Sequence, residues 1–419
     1  MPFPRHWLIR HAAPWALLAS LALPSQAEQL NVLHWWTSAS ERRAADLLAE
    51  RAAAEQIVWR DAAIAGGAGV GAMKVLKSRI LSGQAPDVTQ LIGPAIAEWS
   101  ELGLLLPLDE VAERDDWQNK LFPTIRQLVS PGGRSVAVPV GLHRINTLFY
   151  RSALLGKLGL KPPRNWDEFE LLATKLKAGG FVPLAQSKEP WQVATLFEAI
   201  LLGEAGPAGY RALFEAGNAA QWQGAPVARA LERLRRLQRW MPQPLREQPW
   251  QAVAHGFARG EAVMWIMGDW AKGELLAMGQ LADADFDCQA SPATEDAHLY
   301  SVDTLAMLAG KDSQPAQLAL AALVVNAPVQ IAYNRIKGSV PVRRDINPAQ
   351  LDACGRASWQ TFARGSGVQA PSIVHRMATG ETLKEAITAQ VHRYFLDKRL
   401  STAETQRKLA GYARALGRQ

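Results

Sequence analysis

The chain has 419 residues, of which 48% are apolar and 20% are charged, so its length and composition suit roughly two to three globular domains. Its 46 Lys and Arg residues exceed its 39 Asp and Glu residues, which gives a formal net charge of +7 spread along the sequence. The basic cluster at residues 233–239 has the spacing of the solvated face of a helix. The charge therefore gives no reason to expect nucleic acid as a partner.

The N-terminal segment has the organisation of an export signal. Arg5, His6, Arg10 and His11 make a basic region, and residues 12–23 form an apolar run that is shorter than the about 20 residues needed to span a bilayer. Residues 25–27 have the small-x-small form of a cleavage site. We therefore predict that residues 1–27 are a removable signal peptide. No Cys follows the apolar run, which argues against a lipid anchor, and no later stretch is predicted to cross a membrane.

An exported chain can carry disulfides, and this one has Cys288 and Cys354. Two cysteines alone do not establish a pairing, so their state is left open. The glycine-rich stretch at residues 66–74 lacks the Gly-Lys-Ser/Thr ending of a phosphate-binding loop and the spacing of a dinucleotide fingerprint. We interpret it as a loop before a helix. The sequence predicts no cofactor and no metal site.

Short apolar runs alternate with helical patterns from residue 30 onwards. Strands are predicted at residues 30–33, 57–59, 87–91, 262–266 and 299–308. Helices are predicted at residues 41–54, 72–81, 94–103, 166–177, 191–202, 227–240 and 314–326. The first part of this alternation predicts an α/β fold with a mostly parallel sheet covered on both sides, and the part after residue 140 is richer in helices.

The stretch at residues 34–41 is the first candidate for a binding site. Trp35 and Trp36 end the first predicted strand, and hydroxyl groups and a carboxylate follow at once. Flat apolar rings beside polar groups suit a sugar. However, Ser38 and Glu41 also have the spacing of a capping box, and either Trp could belong to a core. Adjacent strand residues point to opposite faces, so one sheet face does not bury both rings. The local pattern leaves both interpretations open.

Several separated motifs together resemble the extracellular solute-binding proteins of ABC transporters, in the maltose-binding-like sugar group. The motifs are His34-Trp35-Trp36-Thr37, Val138-Pro139-Val140 with His143-Arg144-Ile145-Asn146, Asn165-Trp166-Asp167-Glu168, Gly260-Glu261-Ala262-Val263-Met264 with Gly268-Asp269-Trp270, and Lys337-Gly338-Ser339-Val340-Pro341-Val342. Their order and spacing match over nearly the whole mature chain, and the branch they resemble most is that of the glucose/mannose-type monosaccharide binders.

This resemblance implies an α/β, two-lobed periplasmic-binding-protein fold (maltose-binding-like, type II) with the ligand cleft between the lobes. It implies one lobe from residues 28–138 plus 300–342 and the other from residues 139–299 plus 343–419. It also implies a monomer in the periplasm that binds a mono- or small oligosaccharide, performs no catalysis, and delivers the sugar to an inner-membrane ABC permease. A chemoreceptor is a further candidate partner.

Carried over residue by residue, the resemblance implies a set of sugar-contacting side chains. They are Trp35, Trp36, Thr37, Ser38, Glu41, Gln90, Ile92, His143, Trp270, Asp303, Lys337 and His375. Glu41 would accept hydrogen bonds from sugar hydroxyls, and Trp270 would be a stacking platform on the opposite lobe. Asp303, Lys337 and His375 would add polar contacts, although a turn cap, a surface charge and a core histidine are the ordinary alternatives.

Three positions depart from the glucose-type pattern. Ile92 stands where Lys is usual, Gly141 where Asn is usual, and Thr147 where an aromatic residue is common. A missing ammonium removes a charge-assisted hydrogen bond to a buried hydroxyl, so a different or larger sugar is equally consistent. Two alternatives remain open. One is an exported carbohydrate-active enzyme with Glu41 and Asp303 as its carboxylate pair, and the other is a binder of a different polar solute.

Overall fold

The computed structural model describes residues 1–2, 27–65, 69–215 and 218–417. The predicted signal peptide, apart from its ends, and residues 66–68 of the predicted glycine-rich loop lie outside the described residues. Among the described residues, no single helix has both the length and the apolar character of a membrane span. Two consecutive helices, residues 314–325 and 327–337, meet that test only when joined, and they are bent by 72°.

The strands of the described chain form two sheets. Their bounds are β1 (Glu28–His34), β2 (Ile57–Ala63), β3 (Val88–Gln90), β4 (Val138–Arg144), β5 (Thr147–Tyr150), β6 (Leu184–Ala185), β7 (Met264–Met267), β8 (Asp287–Ala290), β9 (His298–Met307) and β10 (Gln369–Pro371). The first sheet has the order β10-β9-β3-β1-β2, with β4 also paired to β9. The second sheet has the order β6-β7-β5-β8.

Helices surround both sheets. Their bounds are α1 (Ala39–Ala54), α2 (Val70–Leu81), α3 (Ala95–Glu101), α4 (Asp109–Arg114), α5 (Trp117–Lys120), α6 (Pro123–Val129), α7 (Ser152–Lys157), α8 (Trp166–Ala178), α9 (Pro190–Ala212), α10 (Ala225–Leu237), α11 (Trp250–Ala258), α12 (Trp270–Ala277), α13 (Gln314–Val325), α14 (Ala327–Lys337), α15 (Ala353–Ala363), α16 (Glu381–Leu396) and α17 (Thr402–Leu416).

The predicted strands and helices are present, with their ends shifted by a few residues. Helix α9 continues to Ala212, well beyond the predicted end, through a break at Gly206, which has a φ of 66°. The pattern predicted Pro94 as the first helical residue of α3, but the structure has Pro94 as the N-cap. The Asn165 cap is confirmed, because its side chain accepts a hydrogen bond from the Glu168 amide.

Two hydrophobic cores are each built on one sheet. The first core lies within residues 30–142 and 302–342, together with Phe362 and Met377. The second core lies within residues 145–299 and 370–410. Each fully buried Leu, Ile, Val or Phe contributes roughly 1.5–3 kcal/mol, so each core stabilises its own half of the molecule. The lobe boundaries themselves stay a prediction.

The chain passes between the two cores in the neighbouring strands β4 and β9. These strands pair antiparallel, from Val138 opposite Leu305 to Arg144 opposite Tyr300. Strand β4 carries the chain out of the first core and β9 brings it back. Strand β9 also pairs antiparallel with β3. Strands β1, β2 and β3 pair in parallel, as predicted from the first alternation, whereas the first sheet as a whole is mixed because β9 runs antiparallel to β3 and β4. The second sheet is mixed as well.

A disulfide joins Cys288 in β8 to Cys354 at the start of α15. Helix α15 also carries Phe362, which is buried in the first core. The disulfide therefore joins the second sheet to a helix that contributes Phe362 to the first core. The state of Cys288 and Cys354, which the sequence left open, is therefore a disulfide.

Candidate functional site

A cavity of about 450 Å³ lies where the two cores meet. The side facing the first core is formed by Trp35, Thr37, Glu41, Ile92, Asp303 and Lys337. The side facing the second core is formed by Glu189, Trp191, Trp250, Trp270 and His375. His143, on the crossing strand β4, lines the cavity between these two sets. The cavity thus combines several indole rings with a few charged side chains.

Trp35 and Trp36 point in opposite directions, as expected of adjacent residues at the end of a strand. Trp35 is half-buried and lines the cavity. Trp36 is fully buried in the first core, where its ring packs against Tyr333 at a centroid distance of 5.8 Å. Its indole Nε1 donates to Asp303 Oδ2 at 3.1 Å. Trp36 therefore supports the cavity from behind, and the expectation that it lines the cleft is not met.

Glu41 serves both as a helix cap and as part of the cavity. Its Oε2 accepts hydrogen bonds from the amides of Thr37 and Ser38, at 3.0 and 3.1 Å, and Ser38 Oγ completes the capping box. Its Oε1 accepts a hydrogen bond from Lys337 Nζ at 2.9 Å. Burial, the largest single effect, would raise the pKa of the Glu41 carboxyl group, but Lys337 and the amides of Ser38 and Thr37 together lower that pKa. Ser38 does not line the cavity, so it caps the helix only.

Lys337 is the last residue of α14, where Gly338 in a left-handed conformation (φ 91°) ends the helix. Its ammonium lies 2.9 Å from Glu41 Oε1 and 4.0 Å from Asp303 Oδ2. Burial would lower the pKa of Lys337, but the two carboxylates raise it above its ordinary value. Both members of the Glu41–Lys337 pair are therefore charged at neutral pH.

Asp303 receives hydrogen bonds from three directions. Gln90 Nε2 donates to its Oδ1 at 3.0 Å, in addition to the Trp36 indole on Oδ2. His143 Nε2 lies 3.2 Å from Oδ2. Burial would raise the pKa of Asp303, but His143, and then Lys337, lower it. Gln90 is fully buried and lies behind the cavity, so the structure places it as a support for Asp303 and not on the cavity surface.

Trp270, at the start of α12, occupies the opposite side. Its ring lies 5.5 Å from the His143 ring and 5.0 Å from the His375 ring, and His375 in turn lies 6.2 Å from Trp191. A Cβ on Gly268 would overlap the Trp270 indole, so glycine at this position leaves room for the ring. Burial, the largest effect, lowers the pKa of His375, which favours its neutral form.

The cavity therefore brings aromatic rings together with charged and polar side chains. A family model described as bacterial extracellular solute-binding protein matches residues 46–331. A probable sugar-binding periplasmic protein of Brucella melitensis is 34% identical over 403 residues, which are 95% of this chain and 95% of that protein. A protein of the same description from Rhizobium meliloti is 34% identical over 383 residues, covering 91% of this chain and 92% of that protein. This chain belongs to the bacterial extracellular solute-binding protein family.

Solved structures of similar fold include a chitin oligosaccharide binding protein, with a TM-score of 0.77 and 17% identity, which covers 94% of this chain and 100% of that chain. The maltose-bound MalE3 of T. maritima has a TM-score of 0.75 and 17% identity, covering 92% of this chain and 98% of that chain. At such identities the likeness shows the fold alone. It confirms the maltose-binding-like α/β fold expected for this solute-binding protein.

Of the three departures from the glucose-type pattern, only Ile92 lines the cavity of this solute-binding protein. A Cβ on Gly141 would lie 2.6 Å from the side-chain oxygen of Asn334, so β4 and α14 approach too closely there for a larger residue. Thr147 Oγ1 donates to the carbonyl of Arg144 at 3.1 Å, away from the cavity. The departures at these two positions thus reflect packing.

Several cavity residues at the starts of α9 and α11 were not predicted from the sequence. Trp191 and Trp250 line the cavity, as does Glu189. A shared signal was available, because Pro precedes Trp in both Glu189-Pro190-Trp191 and Gln248-Pro249-Trp250. Proline is favoured at helix starts, so this motif indicates that each ring lies where a helix begins, next to a loop. Nothing local indicates that the two entrances face one cavity.

Proposed function

We propose that this solute-binding protein binds a sugar in the cavity between the two cores and delivers it to an ABC permease of the inner membrane. The observation that carries the proposal is that Trp35 and Trp270, supported by different cores, line one cavity together with charged Asp303, Glu41 and Lys337. Indole rings stack on the apolar faces of sugars, and ionised groups form charge-assisted hydrogen bonds to hydroxyls. The names of the relatives support the same ligand class.

The proposed contacts are those that the cavity makes available. Trp35 and Trp270 provide stacking faces, and Glu41, Asp303, Lys337 and His375 provide polar groups. Ile92 offers an apolar contact where an ammonium is usual in the glucose-type pattern. The ligand is a mono- or small oligosaccharide, and a titration with several sugars identifies which one.

We further propose that the protein binds its sugar without turnover. A glycosidase needs one carboxyl group protonated as the acid and a second that is ionised. Here the pKa values of Glu41 and Asp303 are both lowered, which keeps both groups ionised at neutral pH. The pair therefore suits hydrogen-bond acceptance better than general acid catalysis.

The transport role follows from contacts on two sides. Residues 28–138 plus 300–342 would form one lobe and residues 139–299 plus 343–419 the other, each moving as a unit about β4 and β9. A ligand that contacts both lobes favours the closed arrangement, and a permease, or a chemoreceptor, would recognise it. We propose that the mature protein acts as a monomer in the periplasm after removal of residues 1–27.

The test is a titration of the mature protein, residues 28–419, with D-glucose, D-mannose, D-galactose, D-xylose and maltose. A saturable change in Trp fluorescence is expected with at least one sugar, and the sugar should be recovered unchanged. Native mass spectrometry of protein purified from cells grown on mixed sugars would identify a bound ligand by mass. No saturable change with any sugar, together with no retained hexose, pentose or oligosaccharide mass, would contradict the proposal.

A further inference from the structure

His143 lies at the centre of the site, on the strand β4 that crosses between the cores. It is 3% exposed. Its Nδ1 lies 2.6 Å from Oδ1 of Asp269, and its Nε2 lies 3.2 Å from Oδ2 of Asp303. Asp269 is the residue before α12, whereas Asp303 belongs to β9 in the first sheet. One imidazole thus joins the carboxylates of two different elements.

The remaining contacts of both carboxyl groups show that they act as hydrogen-bond acceptors. Asp269 Oδ2 accepts a hydrogen bond from the amide of Arg144 at 2.8 Å. Asp303 accepts from Gln90 Nε2 and Trp36 Nε1. An ionised carboxylate has no proton to donate, so each ring nitrogen of His143 must carry one. Only the imidazolium has two N–H groups, so a charged His143 is the form that donates to both carboxylates.

Both N–H groups of His143 are used by these carboxylates. An imidazolium has no acceptor nitrogen, so no polar atom of His143 remains for a sugar hydroxyl. This differs from the sequence-based expectation, which included His143 among the direct sugar contacts. What His143 does fix is the distance between Asp303 and the first turn of α12, where Trp270 begins the helix.

We propose that His143 is a positioning residue whose imidazolium holds the Asp303 carboxylate and the Trp270 indole at a fixed separation across the crossing strand, without hydrogen-bonding to the sugar. The proposal deepens the proposed function, and only its binding consequence rests on that function. A sugar that stacks on Trp270 and donates a hydroxyl to Asp303 needs both groups at one fixed separation. Such preorganisation raises affinity because less ordering is left for the binding step.

The charged and titratable groups around His143 are consistent with this role. Besides Asp269 and Asp303, they are Arg144 on β4, Lys337 on α14, Glu41 on α1, and His375, whose ring contacts the Trp270 ring as the His143 ring does. Burial would lower the pKa of His143, but Asp269 and Asp303 raise it to about 9. The pKa of Lys337 is raised above 10.5, so Lys337 does not titrate in the same range as His143.

The first test reads the charge of His143 in the sugar-free protein. Histidine ring nitrogens of the mature native chain are labelled with nitrogen-15, and the signal lost in His143→Gln is assigned to His143. An imidazolium signature is expected at about pH 7.5, turning neutral near pH 9, and Asp303→Asn should move that change to lower pH. A neutral His143 at about pH 7.5 would overturn the proposal, whether or not any sugar binds.

The second test measures binding of D-glucose, D-xylose and maltose by isothermal titration calorimetry across the same pH range. The native protein is expected to lose affinity above about pH 9, as His143 loses its charge. His143→Gln should weaken binding by about tenfold or more and abolish this pH-dependent loss. His255→Gln, which alters an exposed histidine of α11 that does not line the cavity, is the control and should leave both unchanged. Unchanged affinity and an unchanged pH profile in His143→Gln would overturn the positioning role. Absence of binding in the native protein would instead count against the proposed function.

Discussion

Trp270 faces the cavity because of the two residues before it. Gly268 has no Cβ to collide with the indole, and Asp269 anchors the start of α12 to the crossing strand. We expect Trp270→Ala to weaken sugar binding by about 2 kcal/mol, or roughly thirtyfold, because a stacked ring contributes both buried area and aromatic contact. Isothermal titration calorimetry with the best sugar of the panel measures this loss.

A matched control for Trp270→Ala removes an indole elsewhere. Trp59 is on β2, half-buried, and its Nε1 donates to Asp61 at 3.1 Å, away from the cavity. Trp59→Phe should leave the sugar affinity within about twofold of the native value, since changes at distant sites act independently. Equal losses in both variants would mean that general destabilisation, and not stacking, causes the effect.

The Glu41–Lys337 pair is buried, so its two members depend on each other. Lys337→Met leaves the Glu41 carboxylate without its cation, and we expect the free energy of unfolding to fall by about 3–5 kcal/mol. The double variant Glu41→Gln/Lys337→Met should recover much of that loss, because no uncompensated charge remains. Urea unfolding of the native, single and double variants measures the cycle, and additive losses would contradict the coupling.

The same pair predicts a pH dependence with a definite sign. The lowered pKa of Glu41 adds stability that is present above the ordinary carboxyl value of 4.5 and is lost as the pH falls through the native pKa. The raised pKa of Lys337 adds stability that is present below its ordinary value of 10.5 and is lost as the pH rises through the native pKa. The double variant should lack both contributions when urea unfolding is repeated across this range.

At the scale of elements, α12 and the end of α14 meet backbone to backbone. A Cβ on Gly273 would lie 2.6 Å from the carbonyl oxygens of Ile336 and Lys337, so alanine there must push α12 away from Lys337. We expect Gly273→Ala to weaken sugar binding by about tenfold, since it separates groups on opposite sides of the cavity. Gly156→Ala in α7, where a Cβ meets nothing within 4 Å, is the control and should bind as the native protein does.

The disulfide between β8 and α15 is a second constraint at this scale. It joins residues 66 positions apart, and removing it with Cys288→Ser/Cys354→Ser should lower the free energy of unfolding by about 2–4 kcal/mol. Urea unfolding measures the loss. A reductant should destabilise the native protein and leave the double variant unchanged, and an equal effect of reductant on both would contradict the assignment.

Local features of the site were predictable from the sequence, and those that depend on distant residues were not. The Ser38–Glu41 capping box is present in the structure. It was predictable because it depends only on residues within one four-residue stretch. The burial of Trp36 depends on Tyr333 and Asp303, which lie more than two hundred residues further along the chain. Likewise, the antiparallel course of β9 follows from the chain's return between cores, which no local periodicity records.

At the scale of the whole molecule, contacts between the halves decide how readily the cavity is enclosed. Glu274 in α12 is 3% exposed and does not line the cavity. Its Oε2 accepts hydrogen bonds from both the amide and the hydroxyl of Ser40 in α1, at 3.1 and 3.0 Å. Because α1 packs in the first core and α12 in the second, these two bonds stabilise the arrangement in which both cores contribute to one cavity.

Glu274→Ala should therefore weaken sugar binding without altering any residue of the cavity. Loss of hydrogen bonds to a charged group costs about 1.5–3 kcal/mol, and the apparent dissociation constant rises as the enclosed arrangement becomes less populated, by about tenfold. X-ray scattering should show a larger radius of gyration than native in the sugar-free variant and the native radius at saturation. Glu274→Gln, which keeps an acceptor oxygen, should lie between the two proteins. Native affinity and native radius in Glu274→Ala would mean that the Ser40–Glu274 contact is equally present when the cavity is open.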